Sequence, residues 1–363
     1  MTREEEYMAQ AIDLASKGWG LVSPNPMVGA VVVKDGTVIG MGFHKGPGTD
    51  HAEVAALKEA GIEARGASLF VNLEPCSHFG TTPPCTEAII NSGIKKVFFG
   101  LIDPNPLVNG RGIKRLSEAG IEVTGPIMEK ESRSLNRIYI NWMEKKTPYV
   151  IAKIALSLDG KVALKNGKSR WITNDKTRQR MHYWRSGVDA VLVGAGTIRK
   201  DNPILTARLP YVQRQPKRIV VTASGNIPTS SKVFEEGGET IIIAPKSNPP
   251  THLKEFAEIM LIEGDGDRLG MRDIIHTLGE KGITSLLVEG GTSIHQQLFK
   301  EELVRYAVAS ISTKLIGSLG QEWLPAWNIG EMDAVPRVVP DQILVINNDI
   351  VIEGEVNYVH RDS

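Results

Sequence analysis

Cysteine is nearly absent from this chain, with two in 363 residues. A secreted protein that relied on disulfides would carry a larger set, so the cytoplasm is the expected compartment. Cys76 and Cys85 are left to be paired, buried or bound to metal. An excess of one charge is missing too. Lys plus Arg and Asp plus Glu each number 42, which leaves no field to draw the protein to nucleic acid or to an anionic membrane. No apolar run is long enough to cross a bilayer. The N-terminal residues, acidic and amphipathic, lack the basic start and apolar core of a secretory signal. These absences favour a small-molecule partner, with no nucleic acid and no membrane.

Hydrophobic residues make up 41% of the chain and charged residues 23%, the balance of an ordinary globular protein. The length exceeds what one core usually holds and predicts two domains. A helix is expected over 4–17. Strands over 28–33 and 38–43 flank a turn at Lys34-Asp35-Gly36, and Asp50 is expected to cap a helix through Glu53, Ala56 and Leu57. Strands follow at 68–73 and 96–101, with helices after Pro83-Pro84, over 112–119 and over 129–143. The polar stretch Lys145-Lys146-Thr147-Pro148 sets the boundary, giving domains at 1–146 and 147–363. The second part alternates again, with strands near 150, 190, 219, 241 and 286 and helices at 175–185, 252–259, 271–281 and 293–300. Both parts therefore read as α/β. Internal repeats and low-complexity tracts are absent.

The two cysteines belong to a pattern: His51-Ala52-Glu53, then Glu74-Pro75-Cys76, then Thr82-Pro83-Pro84-Cys85. Singly these residues are bland, since His-x-Glu recurs by chance and a buried cysteine is commonly a small apolar filler. Together His51, Cys76 and Cys85 make a three-ligand zinc set, which leaves the fourth position open for water as catalytic sites require. Glu53, two residues from His51 at the start of a helix, can then move protons without binding metal. This is the His-x-Glu plus Pro-Cys arrangement of nucleobase deaminases. His78 stands as a candidate fourth ligand, which would make the site structural. One departure is the spacing, because residues 77–84 separate the cysteines where the general pattern is Cys-x-x-Cys.

The second part carries polar groups at strand ends. Lys153 and Ser157 share one face of the strand that opens it. Ser169-Arg170-Trp171-Ile172-Thr173-Asn174 precedes a helix that Thr173 or Asn174 caps. Val193-Gly194-Ala195-Gly196-Thr197 and Glu289-Gly290-Gly291-Thr292 each leave a strand in a turn where glycine lets backbone amides approach phosphate. The full dinucleotide signature is absent, so a Rossmann fold is not expected. Asp201-Asn202-Pro203, with Thr206 and Arg208, suits a phosphorylated sugar, although each is ordinary turn chemistry by itself.

The run from Glu74 to Cys85, with Asn25-Pro-Met-Val-Gly29 and Asp103-Pro-Asn-Pro106, resembles the bifunctional deaminase-reductase family of riboflavin biosynthesis. The resemblance extends over nearly the whole chain. It implies a cytidine-deaminase-like three-layer αβα domain followed by a dihydrofolate-reductase-like α/β domain. The implied reactions are zinc-dependent deamination of a diaminopyrimidinone carrying ribosylamino 5′-phosphate, then NADPH-dependent reduction of its ribosyl chain to ribityl. Carried onto this sequence, it makes His51, Cys76 and Cys85 zinc ligands and Glu53 the proton shuttle, with Asn25, His44, His78, Asp103 and Asn105 around the substrate. Asn25 and His44 equally suit structural roles. In the reductase half it puts Lys153, Ser169, Asp201, Asn202, Leu205, Arg208 and Glu289 around the sugar phosphate. Ser157, Trp171, Thr173, Gly194, Gly196, Thr197, Thr222, Gly290 and Gly291 then suit NADPH. Lys153 or Asp201 supplies the proton that accompanies hydride transfer. Many members of the family have lysine where this chain has Thr81, so Lys45 or the backbone must take over any phosphate contact made there. A homo-oligomer, as a dimer, is a further implication.

Two rival readings are a zinc deaminase with an inert second half and a zinc-stabilised binding module. Loss of nicotinamide absorbance with the deaminated substrate separates the first, and any turnover separates the second.

Overall fold

The computed structural model describes residues 1–79, 83–235, 237–264, 269–325, 327 and 329–359. The chain divides into two compact units, Met1–Lys146 and Thr147–Ser363. No helix among the described residues is long and apolar enough to cross a membrane.

The first unit runs α1 (Arg3–Ser16), β1 (Gly29–Lys34), β2 (Thr37–Phe43), α2 (Ala52–Ala60), β3 (Ser68–Val71), α3 (Cys85–Ser92), β4 (Lys96–Phe99), α4 (Arg111–Glu118), β5 (Glu122–Thr124), α5 (Glu129–Leu135) and α6 (Arg137–Lys145). Its sheet has the order β2-β1-β3-β4-β5, with β1 antiparallel to β2 and β3 and the rest parallel. Alternation along β1 and β3 separates two cores. Val31, Val33 and Phe70 pack with Met8 and Ala11 of α1; Ala30, Val32, Leu69 and Val71 pack with Ala52 and Ala56 of α2, Ile89 of α3 and Leu116 of α4. Helices therefore cover both faces, in three layers. On β2, a Cβ at Gly42 would lie 2.4 Å from the carbonyl of Ala52, so glycine lets the first turn of α2 press directly on the sheet.

Two expectations for this unit fail. Asp50 does not cap α2; His51 occupies the N-cap and the Asp50 carboxylate pairs with Lys58 at 2.5 Å. The single helix expected over 129–143 is broken at Asn136, whose backbone is non-helical. The Asn136 side chain instead accepts from the Met27 amide at 2.8 Å and donates to the Met27 carbonyl at 3.0 Å. Asn72 donates to the same carbonyl, also at 3.0 Å.

The second unit comprises β6 (Tyr149–Leu156), β7 (Lys161–Ala163), α7 (Asp175–Gly187), β8 (Ala190–Gly194), α8 (Ala195–Asp201), β9 (Lys217–Val221), β10 (Thr240–Pro245), β11 (Glu258–Ile262), α9 (Met271–Glu280), β12 (Ser285–Gly290), α10 (Thr292–Lys300), β13 (Tyr306–Ser312), β14 (Gln321–Glu322), β15 (Arg337–Ile346) and β16 (Asp349–Asn357). The main sheet is ordered β11-β10-β9-β8-β12-β6-β13-β16-β15. It is parallel from β11 to β13 and antiparallel where β16 meets β13 and β15. The parallel strands are continuous apolar runs because both faces are covered.

The helix expected over 252–259 is a third failure. Only a short 3-10 turn at Thr251–Leu253 follows Pro249-Pro250, and the apolar run Ile259-Met260-Leu261-Ile262 then joins the sheet in β11. The strands β13, β15 and β16 were not foreseen.

Candidate active sites

In the first unit, His51 is the N-cap of α2 and Cys85 the first residue of α3, while Cys76 lies on the loop after β3. The ligand atoms of His51, Cys76 and Cys85 all fall within 4.8 Å of one another. Nδ1 of His51 is 3.1 Å from Sγ of Cys85 and 3.6 Å from Sγ of Cys76. Ligands bound tetrahedrally at about 2.1–2.3 Å lie roughly 3.5–3.8 Å apart, so one imidazole and two thiols at these separations fit zinc. His78 is not part of this cluster, and its Nδ1 is buried without a hydrogen-bond partner among the described residues. That removes the candidate for a fourth protein ligand.

The cluster concentrates negative charge. The Cys85 thiol and His51 hold Cys76 down to about 4, while the same thiol contact and burial push Cys85 up. Glu53, 3% exposed, is raised to about 7, first by burial and then by the Cys76 thiolate. A cation among the three ligands reverses these penalties. Two helix N-termini, those of α2 and α3, reinforce the preference for anionic ligands.

Around the cluster, His44 is buried with its ring 5.4 Å from that of His51 in an edge-on arrangement. Its two nitrogens meet Asn25 Nδ2 at 3.0 Å and the Asp50 carbonyl at 3.2 Å. Asp103 accepts from the Asn105 amide at 2.9 Å and from the Tyr139 hydroxyl at 2.8 Å, and burial raises it to about 6. Asn105 turns its side-chain oxygen to the Leu107 amide. The loop is organised by Glu74, whose buried carboxylate accepts from the amides of Asp103, Gly110, Gly112 and Ile113. Tyr139 and the role of Glu74 escaped the sequence reading; each acts across a long separation that no local motif records. Thr81, where the family commonly has lysine, lies outside the described residues.

In the second unit, β6, β12, β8 and β9 are parallel neighbours, and the polar residues cluster toward their C-terminal ends, where open α/β sheets bind ligands. Val288 sits opposite Ala152, which places Glu289 beside Lys153. Glu289 is held in a two-pronged ion pair by Arg185 of α7, at 2.5 and 2.8 Å. Burial alone would raise Glu289, but Arg185 and Lys153 bring it down to about 2. Burial lowers Lys153, against the pull of Glu289 and Asp201. His182 of α7 accepts from the Arg208 amide at 3.3 Å, and burial followed by the two arginines lowers it to about 4. Arg185 and His182 were not singled out from sequence.

The glycine turns meet. A Cβ on Gly194 would lie 3.9 Å from the Gly291 amide, and one on Gly291 would lie 3.8 Å from Oγ1 of Thr197. Gly194 is the tighter of these, with Ile294 Cδ1 3.1 Å from the same Cβ position, whereas Gly196 is open, its nearest neighbour being Arg199 Nη2 at 4.0 Å, and Gly290 adopts φ +113°. The result is a cradle with room for a cofactor phosphate against the N-terminus of α10, and the residues fit NADPH. Beneath it, His295 accepts from the Trp323 indole at Nδ1 and reaches the Val288 carbonyl with Nε2, each at 3.1 Å. Thr222, just past β9, accepts from the Gly225 amide at 2.9 Å.

Other expected residues are committed elsewhere. Ser157 donates to Asp159 and accepts from the Lys161 amide, and Asn202 accepts from the Lys232 amide. Leu205 is buried at φ +63°. Asn174, not Thr173, caps α7; Thr173 gives its carbonyl to Arg178. Trp171 is exposed with the Arg178 guanidinium 4.2 Å above its ring, and Ser169 is partly exposed. Arg170 donates to the Asp201 carbonyl, tying this segment to the end of α8.

Residues 1–101 match the family model of the cytidine and deoxycytidylate deaminase zinc-binding region, and residues 148–352 that of the RibD C-terminal domain. The riboflavin biosynthesis protein RibD of Bacillus amyloliquefaciens is 40% identical, over 96% of this chain and 95% of that protein. RibD of Escherichia coli is 37% identical over 87% of this chain and 89% of its own. Among solved structures, a Thermotoga maritima diaminohydroxyphosphoribosylaminopyrimidine deaminase/5-amino-6-(5-phosphoribosylamino)uracil reductase superposes with a TM-score of 0.87 at 38% identity, covering 98% of this chain and 99% of that one. Acinetobacter baumannii RibD gives 0.88 at 33% identity, with 98% and 99% covered.

Proposed function

The chain belongs to the RibD family of bifunctional riboflavin biosynthesis enzymes, and from that premise we propose which of its residues carry the deaminase and reductase steps. The observation that bears most weight is the convergence of the ligand atoms of His51, Cys76 and Cys85, with Glu53 buried two residues from His51.

In the deaminase unit, residues 1–146, His51, Cys76 and Cys85 hold the metal. Zinc bound there supplies the Lewis acidity that makes water a nucleophile near neutral pH. Glu53 takes the proton from the attacking water and delivers it to the departing amine. It suits this task because its carboxyl is shielded from bulk solvent and sits two residues from a ligand. Asp103 and Asn105, fixed by Tyr139 and Glu74, position the aminopyrimidine, with Asn25 and His44 completing the rim.

In the reductase unit, residues 147–363, NADPH supplies the hydride. The turns after β12 and β8 would hold its pyrophosphate, the Thr222 turn would hold its adenosine end, and Lys153 would face the nicotinamide. Arg208 is the free guanidinium for the sugar phosphate, because Arg185 is occupied by Glu289. Lys153, beside Glu289 and with its pKa lowered by burial, is the proton donor we favour, with the Asp201 carboxyl as the alternative. We place the enzyme in the cytoplasm and pair two copies through the exposed edge strand β15, where Ile343 is 62% and Val345 77% exposed; lysine at both positions should give monomers by sedimentation.

The test starts from the diamino-ribosylamino-pyrimidine phosphate with zinc-loaded protein and follows ammonia and NADPH together. Coupled ammonia release and NADPH loss support both assignments. Ammonia alone removes the reductase assignment, and neither product removes the substrate.

A further inference from the structure

NADPH differs from NADH by one dianionic phosphate on the 2′-oxygen of the adenosine ribose, and spacing in the sequence offers no pocket for it. The fold supplies one, given the cofactor path proposed above, on which this inference rests. From β6 to β9 is three inter-strand steps, about 14 Å, a span suited to an extended dinucleotide whose nicotinamide lies at Lys153. Its adenosine end then reaches the turn after β9, Thr222-Ala-Ser-Gly-Asn226.

A group that recognises the extra phosphate must be cationic, open to solvent and free to donate at that end. Other cations of this unit are engaged elsewhere, and Arg208 is given to the sugar phosphate on the reading above. Arg185 is spent on Glu289, Arg170 turns to the Asp201 carbonyl, and Lys200 packs against Gly167. Arg199 of α8 meets the requirement. Its Nη1 donates to the Asn226 carbonyl at 2.7 Å, which pins the guanidinium against the β9 turn. Its Nη2 borders the open space beside Gly196 and has no hydrogen-bond partner among the described residues. Within the same turn, the Ser224 hydroxyl accepts from the Asn226 amide at 3.4 Å and keeps its own proton to donate.

We propose that Arg199, with the Ser224 hydroxyl, binds the 2′-phosphate and sets the preference for NADPH over NADH. A guanidinium fork already anchored by one nitrogen presents the others at little entropic cost, which suits it to a phosphate.

Adenosine 2′,5′-bisphosphate and 5′-AMP probe this phosphate directly when titrated calorimetrically into the full-length protein. Arg199→Gln should raise the bisphosphate Kd relative to that of AMP by about 10- to 100-fold, the value of a charge-assisted hydrogen bond. The NADPH-to-NADH ratio of kcat/KM should fall by the same factor, and Arg199→Lys should recover part of it. A bisphosphate-to-AMP ratio within about twofold of wild type in Arg199→Gln overturns the assignment. Thr197→Val tells the two failures apart, because it should weaken NADPH and NADH alike by about fivefold. If Thr197→Val changes neither, the path over the glycine turns is wrong and Arg199 falls with it.

Discussion

Replacing Glu53 by glutamine isolates the proton shuttle from everything else in the deaminase unit. The side chain is 3% exposed and glutamine has nearly its shape, so the packing of α2 on the sheet is preserved. The three ligand atoms are untouched, so zinc content should stay at one per chain. What disappears is a buried carboxyl able to take up and release a proton, which a carboxamide cannot do. General acid-base catalysis is worth about 10²- to 10⁴-fold, or roughly 3–5 kcal/mol of barrier. Because the proposed role has Glu53 serve both the attacking water and the departing amine, the upper half of that range is expected. The assay measures ammonia colorimetrically under saturating substrate, zinc by atomic absorption, and NADPH oxidation with the deaminated intermediate supplied. Ammonia release should fall by about 10³-fold or more while zinc and NADPH oxidation persist. Zinc loss in Glu53→Gln would make Glu53 a ligand, and ammonia release within about tenfold of wild type would remove it from the proton path.

Tyr139→Phe should raise the KM for deamination by about tenfold without loss of zinc, because Asp103 loses a donor to its carboxylate; an unchanged KM would show that Asp103 needs no such support. Glu289 has an ordinary value of 4.5 and sits at about 2 when folded, so its pairing stabilises the fold above that ordinary value and is lost as pH falls from ~5 toward ~2. Glu289→Gln should therefore flatten the acid limb of the melting curve. At neutral pH it should cost about 3 kcal/mol by stranding Arg185; an acid limb as steep as that of wild type refutes this. Gly42→Ala should force the first turn of α2 off the sheet at a cost of about 1–3 kcal/mol, and zinc affinity should fall while NADPH oxidation continues. Unaltered zinc binding would show that the contact is slack.

Legibility followed sequence distance. His51, Glu53 and Cys85 stand in short motifs at helix starts and Cys76 in one on the loop after β3, so residue type and order were enough to gather them. The parallel strands β8, β10 and β12 announced themselves as apolar runs. Asn136 did not, because 129–143 has helical composition and the break comes from a side chain that bonds to Met27 across 109 positions. Arg185 was hidden for the same reason, its carboxylate partner lying 104 positions away. The 252–259 segment shows composition losing to context: after Pro249 and Pro250 only a 3-10 turn forms at Thr251–Leu253, and Glu258 and Ile259 then pair with Ile241 and Ile242 of β10.

The grip of Asn136 on Met27 also orders events during synthesis. When residues 1–101 have left the ribosome, His51, Glu53, Cys76 and Cys85 all exist, and strands β1–β4, against which α2 and α3 pack, can pair. The loop bearing Asn25 still lacks the asparagine that holds the Met27 amide. That amide is satisfied only after α5 has emerged, so a nascent chain can acquire metal well before it can close around a substrate. A fragment ending before α5 would thus be a metal-binding protein with an unfinished pocket.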